Sequence, residues 1–227
     1  MAFEETVRLS LDDVRTVTVN RSFPWETGRP IIVFAHGAGS DVFSEFFQLL
    51  DDGLSRFPIN RLYLNFPYRV AGKKMPDRLP VLQESWRQVI QWVHHTYPEV
   101  PLFIGGKSMG GRIAATVAED YPQLTGVIFL GYPLHPPGKP DRLRDAPLYT
   151  LNLPMLFVQG TRDNLAKFDL IRQVVDRMGS HASLVVVTEG DHSFKVPRKL
   201  GKSYKSVLYW VAEHINFWVK QQLYNGN

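Results

Sequence analysis

The chain of 227 residues has no cysteine. That excludes disulfides, thiolate metal sites and a cysteine nucleophile, and it suits a reducing, cytoplasmic setting. No apolar run approaches the roughly 20 residues of a membrane-spanning helix. The first residues, Met1-Ala2-Phe3-Glu4-Glu5, are acidic and lack the apolar segment of a secretory signal. Charge of one sign is scarce too: the formal net charge is +4 and both signs are mixed along the chain. No recognition motif turns that mild excess into a nucleic-acid site. Repeats and low-complexity tracts are missing. What remains, 44% hydrophobic and 21% charged residues, is the composition of a globular chain. Its length suits one good-sized core, so residues 1–227 are expected to form one domain.

The patterning is mostly that of alternating strands and helices. Val7–Leu11 and Val14–Val19 alternate at period two around Asp12-Asp13, which predicts an antiparallel hairpin at a sheet edge. Ile31–Ala35 is continuously apolar, as in a strand buried on both faces. Phe43, Phe46, Phe47, Leu50, Leu54 and Phe57 then recur at helical spacing. Strands are predicted at 61–66, 101–104, 126–131, 154–160 and 184–187. A long helix has Leu79, Leu82, Trp86, Val89, Ile90, Val93 and Tyr97 as its core face, and further helices follow residue 111, span Leu165–Met178 and close the chain from Tyr204. Strand and helix alternating from residue 31 onward predict a mostly parallel sheet with helices on both faces. Functional groups in such sheets gather at the carboxyl ends of the strands. Residues 132–153 are proline-rich, irregular and short enough to be only a small flap, so little lid is expected.

Gly106-Lys107-Ser108-Met109-Gly110 sits where a strand turns sharply into a helix, a Gly-x-Ser-x-Gly pattern with serine at the apex. Read as a phosphate loop it fails, because the glycine needed five residues before Gly106 is Pro101. Read as a nucleophile, Ser108 needs a base, and the base needs an orienting acid. Asp163 follows the strand near 155–159 and His192 follows the strand near 184–187. The order Ser108, Asp163, His192 is that of an α/β-hydrolase triad. Asp191 is the rival acid, but as the neighbour of His192 it is expected to bond its own loop instead. The oxyanion donors expected for this arrangement are the backbone N–H groups of Met109 and Ala38, with His36 structural within its loop. His135, in the flap, is either a substrate contact or a flap anchor. Arg69, Lys73, Lys74, Arg78, Lys139, Arg142, Arg144, Lys195, Arg198, Lys199 and Lys202 fall in loops near the same rim and, if clustered, would attract an anionic substrate.

Several segments in order, His36-Gly37-Ala38-Gly39-Ser40-Asp41, Gly106–Gly111, Tyr132-Pro133-Leu134-His135-Pro136-Pro137 with Lys139 and Leu143-Arg144-Asp145, Gly160-Thr161-Arg162-Asp163 and Asp191-His192-Ser193, resemble one α/β-hydrolase family. It is named after a testis-expressed hydrolase-like protein and a subunit of the NSL histone-acetyltransferase complex, and it includes small bacterial proteins. The resemblance implies a serine-hydrolase framework that needs no metal or organic cofactor. It implies no particular substrate; the short 132–153 flap, which offers little lid, points instead to a small or medium soluble ester or thioester. The complex-subunit member implies an alternative, a non-catalytic protein-binding module on the same fold, with a protein partner in place of a substrate.

Overall fold

The computed structural model describes residues 3–225; Met1 and Ala2 of the amino-terminal reading lie outside them. The strands are β1 (Phe3–Ser10), β2 (Thr16–Ser22), β3 (Ile31–Ala35), β4 (Asn60–Asn65), β5 (Leu102–Lys107), β6 (Gly126–Leu130), β7 (Met155–Gly160) and β8 (Ala182–Val187). They form one sheet in the order β1-β2-β4-β3-β5-β6-β7-β8. β3 to β8 are parallel, while β1 and β2 form the antiparallel edge. The helices are α1 (Glu45–Leu54), α2 (Pro67–Val70), α3 (Leu79–Thr96), α4 (Met109–Ala118), α5 (Phe168–Met178) and α6 (Tyr204–Asn225). No helix among the described residues is long and apolar enough to cross a membrane.

Alternation along each strand splits the core into two layers, because successive side chains leave a strand on opposite faces. Ile31, Val33 and Ala35 pack with α3, α4 and α5, whereas Ile32 and Phe34 pack with α1 and α6. Trp86 of α3 is fully buried and donates its indole N–H to the carbonyl of Gly110, 3.3 Å away. That bond ties α3 to the first turn of α4. β4 lies on one side of β3 and β5 on the other, so the chain reverses direction across the sheet there. A crevice opens between the ends of β3 and β5, the usual ligand position in open α/β sheets.

Several boundaries differ from expectation, each for a local reason. Val14 and Arg15 leave the hairpin strand because the Asp12 carboxylate accepts both of their amides, at 3.0 and 2.7 Å, and curls them into the turn. Phe43 precedes α1 and is mostly exposed, since the Asp41 carboxylate binds its amide and holds the loop open until Ser44. Leu79 opens α3 on the solvent side. The helix predicted from Leu165 begins only at Phe168: the Leu165 amide is taken by Asp163 and that of Lys167 by His135.

Candidate active site

Glycine carries β5 into α4 because nothing larger fits. A Cβ on either Gly106 or Gly110 would run into the carbonyl oxygen of Ala35 at the end of β3. Between these contacts Ser108 adopts φ 51° and ψ −114°, a left-handed backbone that costs a non-glycine residue about 1–3 kcal/mol. The neighbouring strand sustains it, since the Ser108 amide donates to Leu130 O at 3.0 Å. The hydroxyl is thereby held at the apex of the turn.

His192, after β8, reaches that hydroxyl. Its Nε2 accepts from Ser108 Oγ at 2.9 Å, and its Nδ1–H donates to Asp163 Oδ2 at 2.7 Å. Asp163, after β7, is buried and fully engaged: Oδ2 also accepts the Gln159 side-chain amide at 2.6 Å, and Oδ1 accepts the Leu165 amide at 2.8 Å. A carboxylate so supplied with donors is held in one orientation. Asp191 spends its carboxylate on the amides of Ser193 and Lys195, at 2.8 and 2.9 Å, shaping the loop that presents His192. Gln159 went unnoticed in the sequence. It is a polar residue at the end of an apolar strand, fully buried, and it also accepts the Tyr132 amide at 3.0 Å. It therefore fixes both the acid and the start of the flap.

His36 is buried between two strand ends. Its Nδ1–H donates to Gly37 O at 2.9 Å and its Nε2 accepts the Phe66 amide at 3.2 Å. Burial pushes its pKa down to about 4, so the ring is neutral and holds the β3 loop against the end of β4. His135 is likewise buried, donating from Nδ1 to Pro136 O and accepting the Lys167 amide on Nε2, both at 2.9 Å. Both ring nitrogens are spent on backbone. That bonding is what a flap anchor would make.

A cavity of about 440 Å³ opens beside Ser108, bordered by Gly37 and Ala38 on the β3 loop, Phe46 and Phe47 of α1, Lys107 and His192. The backbone N–H of Met109 stands at the first position of α4, one residue past Ser108. The loop cations do not converge here. Among them Lys195 borders the cavity and pairs loosely with Glu45 at 3.7 Å, while Arg69 is bound to Asp41 at 2.8 Å. Lys73 borders a separate hollow near the hairpin turn.

Residues 28–220 match the family model described as "Alpha/beta hydrolase domain". Among solved structures, the chain is similar to an alpha-beta serine hydrolase homologue from Coxiella burnetii (TM-score 0.73, 20% identity, covering 95% of this chain and 97% of that one). It is also similar to Est1E from Butyrivibrio proteoclasticus (TM-score 0.76, 11% identity, 96% and 98%). A third neighbour is an α/β serine hydrolase without a lid from Xanthomonas campestris (TM-score 0.70, 19% identity, 93% of each). At these identities the likeness is one of fold.

Proposed function

The chain belongs to the alpha/beta hydrolase domain family, and from that premise we propose that it is a serine hydrolase cleaving an ester or thioester of a small to medium substrate through an acyl-enzyme on Ser108. The observation that carries this reading is the unbroken row Ser108 Oγ–His192–Asp163, with steps of 2.9 and 2.7 Å. With the ring proton on Nδ1 against Asp163, His192 presents the lone pair of Nε2 to the hydroxyl. It therefore takes the serine proton as Oγ attacks the acyl carbon, and then gives it to the leaving alcohol or thiol. Asp163 steadies the imidazolium formed in between. The developing oxyanion is received by the backbone N–H groups of Met109 and Ala38, the first also at the positive end of α4. Water then enters, His192 takes its proton, and the acyl group leaves as an acid. No step asks for a metal or an organic cofactor.

A fluorophosphonate probe tests the assignment. Wild type is expected to be labelled and Ser108→Ala to stay unlabelled; equal labelling of the two removes Ser108 as nucleophile. A panel of esters and thioesters of graded acyl length then reads the substrate range. No labelling together with no turnover across the panel would favour the protein-binding alternative.

A further inference from the structure

Lys107, directly before Ser108, is unaccounted for by the chemistry above. The residue is only 8% exposed, and its Nζ has no hydrogen-bond partner among the described residues. An ammonium has three donors and no acceptor. The faces of Phe46 and Phe194, with ring centroids 5.7 and 6.0 Å away, ease the charge but accept no hydrogen bond in the ordinary sense. Of the carboxylates nearby, Asp163 is engaged by His192, Gln159 and Leu165, and Asp191 through Oδ1 by its own loop; neither bonds Nζ. A second buried polar atom, Ser44 Oγ at the start of α1, is also without a partner. Lys107 and Ser44 border the same cavity as Ser108. Both atoms sit sealed in the wall of that cavity, each with less than 1 Å² of exposed surface, and leaving a buried ammonium without an acceptor is costly. Glu45 also borders it, but it is mostly exposed and turned to Lys195 at the mouth.

We propose that the cavity beside Ser108 receives a carboxylate carried by the substrate, toward which the Lys107 ammonium and the Ser44 hydroxyl turn out of the cavity wall to bind it, so that the natural substrate is an anionic ester or thioester such as a dicarboxylic acid half-ester. The inference rests on the serine-hydrolase reading only for the place of the scissile bond. Burial pulls Lys107 down to about 8, with Asp163 and Asp191 opposing the fall, so it carries its charge at neutral pH. An entering carboxylate replaces the missing acceptor in a water-poor site, where a charge-assisted bond is strong. Hydrolysis of such a half-ester consumes one water and yields the diacid and the alcohol, with no other reactant.

The experiment compares two anionic esters with neutral isosteres. Monoethyl glutarate is set against ethyl 5-methylhexanoate, and 4-acetoxybutanoate against 4-methylpentyl acetate, so that the carboxylate lies on either side of the scissile bond. For at least one pair, wild-type kcat/KM is expected to favour the anion by about tenfold or more. That ratio should fall at least tenfold in Lys107→Met and by a smaller factor in Ser44→Ala. Preference for the neutral ester in both pairs overturns the proposal without any Lys107 variant, and a ratio unchanged in folded Lys107→Met overturns it as well. Titration calorimetry of the preferred anionic ester with Ser108→Ala, alone and combined with Lys107→Met, reads binding independently of turnover. Lysine-dependent binding without fluorophosphonate labelling keeps the carboxylate site and sinks the hydrolase reading. Labelling with lysine-independent selectivity does the reverse.

Discussion

Replacing Asp51 by alanine should be among the costlier single changes on the α1 face of the sheet. Arg61 of β4 is completely buried, and its Nε donates to Asp51 Oδ1 at 3.0 Å. The Tyr63 hydroxyl donates to the same oxygen at 2.9 Å. Removing Asp51 strands a buried guanidinium, which typically costs about 3–5 kcal/mol. Two strong backbone bonds survive, from Nη1 to Ile59 O at 2.9 Å and from Nη2 to Phe23 O at 2.6 Å. They place the guanidinium share toward the lower end of that range. The orphaned Tyr63 hydroxyl adds about 1–3 kcal/mol. A loss of about 4 kcal/mol follows, and with it a fall in Tm of roughly 8–16 °C for a chain of this size. Urea titration and thermal melts by circular dichroism measure both. Because the cost lies in the uncompensated charge, an Asp51→Leu/Arg61→Met double variant should recover most of it. An Asp51→Ala variant within about 1 kcal/mol of wild type would refute the reasoning, since it would mean that the guanidinium finds another counter-charge or water.

Three further outcomes follow from the same structure. Gly110→Ala sets a methyl against the carbonyl oxygens of Ala35 and His36, so α4 must lift from β3 and carry Ser108 with it; labelling by the fluorophosphonate probe should slow by about a hundredfold or more. Gln159→Leu removes the 2.6 Å donor to Asp163 and the acceptor for the Tyr132 amide. Ester kcat/KM should drop at least about tenfold, and an unchanged value would show that His192 and Leu165 alone hold the carboxylate. His36, at about 4 in the folded chain and about 6.5 when unfolded, contributes stability that is whole above pH ~6.5. That stability is lost as pH falls to about 4, because in this window only the unfolded chain takes the proton; the loss is about 3 kcal/mol. Urea melts between pH 7 and 4.5 should show that component flattened in His36→Asn.

Much of the architecture is local and therefore legible in the residues themselves. Ile31–Ala35 reads as a doubly buried strand because all five residues are apolar, and its bounds match β3. The order of Ser108, Asp163 and His192 after β5, β7 and β8 needs only the alternation of elements to bring them to one rim. Where side-chain oxygens of Asp12, Asp41 and Asp163 capture nearby amides, helix and strand starts move by a few residues. Such competition is decided by geometry that periodicity does not carry. Partners far apart in sequence were beyond the pattern altogether. Gln159 meeting Tyr132 and His36 bonding Phe66 each depend on which strand lies beside which, and Arg61 buried on Asp51 depends on how α1 packs over β4. Lys107 shows the division most sharply. By itself the sequence determined that a lysine precedes the serine of the turn. Only the tertiary structure decided that its ammonium is shut between Phe46 and Phe194 without an acceptor, because burial and hydrogen-bond satisfaction belong to the packed chain and not to any stretch of it.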